Sequence, residues 1–197
     1  MLLTYKYRLS PTKKQIQALD RTLETCRILY NSCLADRRNH YQTTGNGLSR
    51  IRQQEILTAE KKRILLLQHI HSKVLQNVLF RVDRSFQSFF RRVKDGSCKA
   101  GYPRYKGAGQ YNSICYPQEP GFQLTPQGLR LSKIGTIEIK RHREIAGNVK
   151  PVQCDVTAIS GTPASPLNSS LSRFPCPMIP LVLMWASNPL PFFPMEP

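Results

Sequence analysis

The residues with the most chemistry in this chain are cations interleaved with aromatic rings. Tyr102, Arg104, Tyr105 and Lys106 alternate ring and charge along one short stretch, while Lys73, Arg81, Arg84, Arg91, Arg92 and Lys94 recur through a pattern of helical spacing. Lysine and arginine hold phosphate oxygens by salt-dependent contacts, and tyrosine rings or guanidinium planes stack on unpaired bases. That is the chemistry of polyanion binding. Catalysis would need more: metal-assisted phosphodiester cleavage requires grouped carboxylates. Asp20, Glu24, Asp36, Glu55, Glu60, Asp83, Asp95, Glu119, Glu138 and Glu144 are instead scattered among cations. No catalytic residue is assigned. The six cysteines include no Cys-x-x-Cys pair, and His69 and His71 stand beside no cysteine, so neither a metal site nor a disulfide framework is expected.

Those cations are unevenly distributed. The 197 residues carry a formal charge of +17, and residues 1–153 account for +18 of it while residues 154–197 sum to −1. The last 44 residues hold nine of the 15 prolines and no lysine. Two compositions therefore meet near Cys154. A field this positive attracts phosphates and repels copies of itself. The N-terminus shows no secretory apolar segment, and the apolar run from Leu181 to Ala186 is too short to span a bilayer. A cytoplasmic protein with reduced thiols and no membrane partner is expected, associated with the nucleoid if DNA is bound.

Positioning such residues requires a scaffold, and the periodicity supplies one. Leu3, Tyr5, Tyr7 and Leu9 alternate with Thr4, Lys6 and Arg8, which predicts a half-buried strand over residues 2–9 with a basic outer face. Ser10-Pro11 reads as the start of a helix whose seam is Ile16, Leu19, Leu23, Cys26, Tyr30 and Cys33, running to about Arg38 and broken by Thr43–Gly47. A short helix over Leu48–Leu57 follows. A long one begins at Ser72 as N-cap, with Leu75, Val78 or Leu79, Val82, Phe86, Phe89 and Val93 apolar, and ends at Asp95-Gly96. From Gly101 the chain turns to short alternating runs: 111–116, 122–124, 129–131 and 136–140. The expected class is α+β, a small β-barrel over residues 1–10 and 98–153 interrupted by an inserted helical bundle over 11–97. An irregular Pro/Ser-rich tail, 154–197, follows it.

Several strings resemble one family. Tyr7-Arg8-Leu9-Ser10-Pro11-Thr12, Arg27-Ile28-Leu29-Tyr30-Asn31, Leu75-Gln76-Asn77-Val78-Leu79 with Phe86-Gln87-Ser88-Phe89-Phe90-Arg91-Arg92, Gly101-Tyr102-Pro103-Arg104-Tyr105-Lys106 and Leu129-Arg130-Leu131-Ser132-Lys133-Ile134-Gly135 are similar, in order, to the N-terminal half of TnpB (OrfB-type) proteins of insertion sequences. The resemblance implies RNA-guided DNA endonucleases, long described as transposases, with a wedge-like barrel, an inserted recognition bundle and a RuvC-like C-terminal half. It implies DNA and a guide RNA from the mobile element as partners. It also implies a divalent metal and usually a structural zinc in complete members, neither of which is expected in this chain. Arg50 and Gln54, with Ser72, Lys73 and Gln76, would then lie near the flanking DNA motif. Gln76 can read an adenine edge bidentately, or be an ordinary exposed helix residue. Tyr102 and Tyr105 stack on bases or lie buried under the barrel, and Tyr30 belongs to the core. Candidate nucleic-acid contacts are Lys6, Arg8, Arg50, Gln54, Ser72, Lys73, Gln76, Arg81, Arg84, Arg91, Arg92, Lys94, Arg104, Lys106, Lys140 and Arg141.

Beyond residue 153 the resemblance stops. Read one base out of register, the degenerate codons of the tail permit strings resembling the family's next strand and its first nuclease motif, which predicts a frameshift near residue 153. The expectation is a shortened, helix-turn-helix-class binding protein without a nuclease site. Two alternatives stand beside it: an active endonuclease restored by programmed frameshifting, and a basic remnant that binds RNA without specificity.

Overall fold

The computed structural model describes residues 2–96, 100–145, 148–158 and 178–187. Strand β1 (Leu2–Ser10) comes first, and the helices α1 (Lys13–Thr44), α2 (Arg50–Arg63), α3 (Leu65–Gln68) and α4 (Ser72–Asp95) all precede the next strand in chain order. Strands β2 (Ser113–Tyr116), β3 (Phe122–Thr125), β4 (Gly128–Leu131), β5 (Gly135–Lys140), β6 (Asn148–Ala158) and β7 (Met178–Ser187) follow. The molecule is thus mixed helix and sheet. Among the described residues no helix is long and apolar enough to cross a membrane.

Local chemistry sets the helix ends. The first cap is Thr12, two residues beyond the expected Ser10, because Ser10 is still paired in β1 opposite Glu138. Thr12 Oγ1 accepts from the Gln15 amide at 3.4 Å and Gln15 Oε1 accepts from the Thr12 amide at 2.9 Å, a reciprocal capping box. Gln15 Nε2 also donates to Thr136 O at 2.7 Å, which ties the first turn of α1 to β5. The helix runs past Arg38 to Thr44, since nothing before Gly45, at φ +69°, breaks it.

On α4 the cap is His71, not Ser72: His71 Nδ1 accepts from the Lys73 amide at 3.4 Å, while Ser72 Oγ accepts from Lys61 Nζ at 2.6 Å. His71 lies against the Tyr116 ring, and burial, then Lys61, Lys73 and Lys133, hold its pKa below the ordinary value. The unfolded chain therefore takes up the proton first as pH falls, so the stability His71 confers is complete above about pH 6.5 and declines in acid. The melting temperature is expected to drop between about pH 7 and pH 5, and to drop less in His71→Asn, which keeps a capping acceptor without the titration. Equal slopes in the two proteins would refute that role.

The seven strands form one curled antiparallel sheet in the order β2-β6-β7-β1-β5-β4-β3. Tyr5, Tyr7 and Leu9 face the core while Thr4, Lys6 and Arg8 are exposed, the alternation expected of β1. Gly128 fits because a Cβ there would meet Ile137 O at 2.2 Å. One expectation is corrected. The segment from residue 154, expected to be irregular, continues β6 to Ala158 and supplies β7, whose apolar run from Leu181 to Trp185 pairs with β1. Pairing fills the donor and acceptor row that β1 would otherwise leave open. Pro151 sits at a break of register in β6, and Pro180 lies just past the overlap with β1, where neither interrupts that ladder. Residues 159–177 and 188–197 of the expected tail, and residues 97–99 at the expected domain boundary, lie outside the described residues.

The core joins helices to sheet. Leu19, Leu23, Cys26, Tyr30 and Cys33 of α1 are buried with Leu75, Val78, Leu79, Val82 and Phe86 of α4 and Ile114, Tyr116, Phe122, Leu129 and Ile137 of the sheet. Ile16 and Val93, the first residue of the α1 seam and the last of the α4 seam, are exposed. The four described cysteines are free and buried, and burial pushes the thiols of Cys26, Cys33 and Cys154 up to about 12.

Candidate nucleic-acid interface

A segment without helix or strand, residues 100–112, which turns at 108–109, precedes β2 and is held from below by α1. Asn31 Nδ2 donates to Lys106 O at 2.9 Å and Asn31 Oδ1 accepts from the Lys106 amide at 2.8 Å, the pairing a neighbouring strand would make. Arg27 Nη1 donates to the same carbonyl at 2.9 Å, and Glu24 fixes that guanidinium through bonds of 2.8 and 2.6 Å. This clamp turns the side chains of 102–106 outward. Tyr102 and Tyr105 are 43% and 48% exposed, which removes the alternative that they are buried under the sheet.

Between this segment and α4 lies an open groove of about 870 Å³. Arg81, Arg84 and Arg92 line it from α4, Tyr102, Arg104 and Lys106 from the segment, and Tyr30, Gln110, Tyr111 and Asn112 complete it. No carboxylate is among its lining residues. Arg84, Arg92 and Arg104 are exposed and able to reach a ligand. Arg81 acts differently from its expected role as a direct contact. Its Nη1 donates to Ser113 O at 3.0 Å and Ser113 Oγ at 2.9 Å, its Nε to Asn77 Oδ1 at 3.0 Å, and its guanidinium lies 5.2 Å from the Tyr111 ring centroid. It braces α4 against β2 while adding positive charge to the groove floor. Tyr30, expected in the core, is buried and its hydroxyl lies 3.2 Å from Ser85 Oγ.

The remaining candidates fall elsewhere. Arg91 and Lys94 are exposed on the last turns of α4 and do not line the groove. Ser72, Lys73 and Gln76 occupy the first turns of α4, and Arg50 and Gln54 those of α2; none of the five lines the groove. Lys6 and Arg8 stand on the outer face of β1, where Arg8 is directly opposite Lys140. Two cations facing each other across strands repel, so this strip also favours an external anion. Arg141 is exposed beyond it and donates to Thr125 O.

The residues that sequence reasoning left without a role are Arg27 and Asn31. Their spacing of four places both on one helix face, but nothing local says that their partner is a backbone 75 residues away. Among the described residues no three His, Cys, Asp or Glu side chains come together to hold a metal ion.

A groove of cations with the exposed Tyr102 ring on a helix-and-sheet scaffold has the chemistry of a phosphate-and-base surface. Residues 1–46 match a family described as the helix-turn-helix domain of OrfB, IS605 type. Within that span lie β1 and the whole of α1, and the next turn and helix begin directly after it. A protein of Escherichia coli (strain K12) that carries the name RNA-guided DNA endonuclease InsQ is 30% identical over 156 residues, which cover 77% of this chain and 37% of that protein. A Streptomyces pristinaespiralis protein named as an RNA-guided DNA endonuclease is 26% identical over 156 residues, 78% of this chain and 37% of its own length. The N-terminal part of the chain is that of a TnpB (OrfB-type) insertion-sequence protein. The chain spans a little over a third of the length of these relatives.

Proposed function

We propose that this chain is a nucleic-acid-binding N-terminal portion of a TnpB-like RNA-guided DNA endonuclease, and that the groove beside α4 holds a phosphate backbone of the guide RNA or its DNA target. The observation that carries this reading is the convergence of Arg84, Arg92, Arg104 and Lys106 with Tyr102 in one groove whose lining has no carboxylate. In RNA-guided recognition the protein holds backbones while base pairing reads the sequence, and a groove of this kind suits the first task. The other candidate residues extend the surface: the cations Lys6, Arg8, Lys140 and Arg141 at the sheet, and Ser72, Lys73 and Gln76 with Arg50 and Gln54 near the flanking DNA motif.

The chain is proposed to bind and not to cut. Three of its carboxylates are already engaged by arginines, Glu24 by Arg27, Asp83 by Arg37 and Glu55 by Arg52, which leaves them poorly placed to gather metal ions. A frameshift near residue 153 is proposed as the cause. The share of the chain that the relatives match, 77% and 78%, is the share that precedes the change of composition.

Binding to RNA transcribed from the element's end, followed by fluorescence anisotropy over a salt series, tests the reading. Affinity is expected to fall linearly on logarithmic axes, with a slope near −0.7 for each phosphate held on a single strand, roughly −2 to −3 for three or four groove contacts. A slope near zero, or affinity equal to that for unrelated RNA, would overturn it.

A further inference from the structure

A second cleft, of about 740 Å³, shares Tyr102 with the basic groove and lies between the end of α1 and the last turns of α4. Its walls are the rings of Phe86, Phe89, Phe90, Tyr41 and Tyr102, with the exposed Arg38 among them. Phe90 and Tyr41 are 60% and 62% exposed. Tyr102 meets Phe86 and Phe89 edge-on, each with centroids 5.5 Å apart and planes 89° and 71° from parallel. This is more clustered aromatic surface than a core needs. Left open to water, such a patch marks a binding site.

We infer that this cleft receives one unpaired nucleobase of the strand whose backbone lies in the adjoining groove. The inference rests on the function proposed above and names a further site for the same ligand. Three observations choose this occupant. The cleft and the groove share Tyr102 as a common wall, so a strand held by Arg84, Arg92 and Arg104 passes within reach of both. The exposed Arg38 gives the cleft a positive charge, the neighbouring Arg37 being paired with Asp83, and no carboxylate is among the lining residues. A second copy of a chain that carries +17 would be repelled here, whereas a nucleotide brings an anionic phosphate for Arg38 and an apolar face for the rings. The size also suits, since 740 Å³ lies within the usual range for small-ligand sites. Gln42, on the same wall as Tyr41, offers an amide that donates to or accepts from a base edge.

The site is tested with the full chain and short single-stranded oligopyrimidines, RNA and DNA, that carry one 2-aminopurine. Binding is expected to quench the probe through stacking. Phe90→Ala, a truncation at an exposed position, is expected to abolish the quench and weaken affinity about fivefold to a hundredfold, the loss that goes with one base stack. Phe90→Trp should restore both. Placing the probe in a duplex should remove the quench. If the oligonucleotide binds with a normal salt slope but its fluorescence is unchanged, or is quenched equally in Phe90→Ala, the cleft inference fails while the groove reading stands. If the chain does not bind at all, both fail. If sedimentation shows a dimer that Phe90→Ala dissolves, a second copy occupies the cleft and the inference is overturned.

Discussion

Replacing Asp83 with alanine is expected to lower the melting temperature by about 6–12 °C, which corresponds to a loss of about 3 kcal/mol in a chain of this size. The cause lies one helix away. Arg37 is only 8% exposed, and its guanidinium is the junction of α1, α2 and α4: Nη2 donates to Asp83 Oδ1 at 2.9 Å, Nε donates to Gln53 Oε1 at 2.7 Å, and the group lies 5.0 Å from the Phe86 ring centroid. Gln53, also buried, passes the connection on by donating to Cys33 O at 2.8 Å, and Gln87 donates to the second Asp83 oxygen at 2.9 Å. Removing Asp83 leaves a charge in the interior with no counter-charge, which costs about 3–5 kcal/mol for a fully buried pair. The Asp83 side chain keeps 21% of its surface in water, so the lower end of that range applies. The double variant Arg37→Met, Asp83→Ala removes both charges and is expected to recover most of the loss. Asp95→Ala, an exposed position on the same helix, controls for the added positive charge and should be nearly silent. A shift below about 2 °C in the Asp83 variant would mean that the pair contributes no more than an exposed one.

That junction also shows where sequence reading stops. The β1 alternation, the α1 and α4 seams, the Gly45 and Gly96 stops and the short strands from Ser113 to Lys140 were legible, because each depends on neighbours within one or two turns. Arg37 was not. An arginine on a long helix has the same local signature whether it faces water or a partner 46 residues away. The groove was half legible for the same reason. The alternation of ring and charge at 102–106 announced its chemistry, yet the clamp by Arg27 and Asn31 that exposes those side chains is long-range. Arg81 and Arg92 look alike in sequence, yet Arg81 is half-buried and held by three bonds to Ser113 and Asn77, whereas Arg92 is exposed with a single 3.3 Å bond to Gly101 O. The strand β7 was missed because a tail rich in proline reads as irregular; its one apolar run becomes a strand only where β1 and β6 offer open ladders on either side.

Neutralising the charge of the groove gives the largest expected effect on binding. The triple variant Arg84→Gln, Arg92→Gln, Arg104→Gln is expected to weaken single-strand affinity about a hundredfold at 0.15 M salt and to flatten the logarithmic salt slope by about 2. Each lost phosphate contact removes about 0.7–0.9 of a unit of slope, which amounts to about a fivefold loss of affinity at that salt concentration. All three side chains are exposed, so the fold should hold, and an unchanged melting temperature checks that it does. The matched triple Lys6→Gln, Arg8→Gln, Lys140→Gln removes the same net charge from the outer face of the sheet. For a strand short enough to occupy the groove alone, the second triple costs far less than the first, because the sheet face is then felt only through long-range attraction, which salt screens within about 8 Å. Equal losses from the two triples would instead describe a basic particle that binds any polyanion through its net charge, with no groove at all. Asn31→Ala separates position from charge within the same experiment. It removes no cation, yet it frees the Lys106 backbone that aims Arg104 and Tyr102. A loss of affinity with the salt slope nearly intact is the expected result, since the phosphate contacts survive but are no longer held in place in advance.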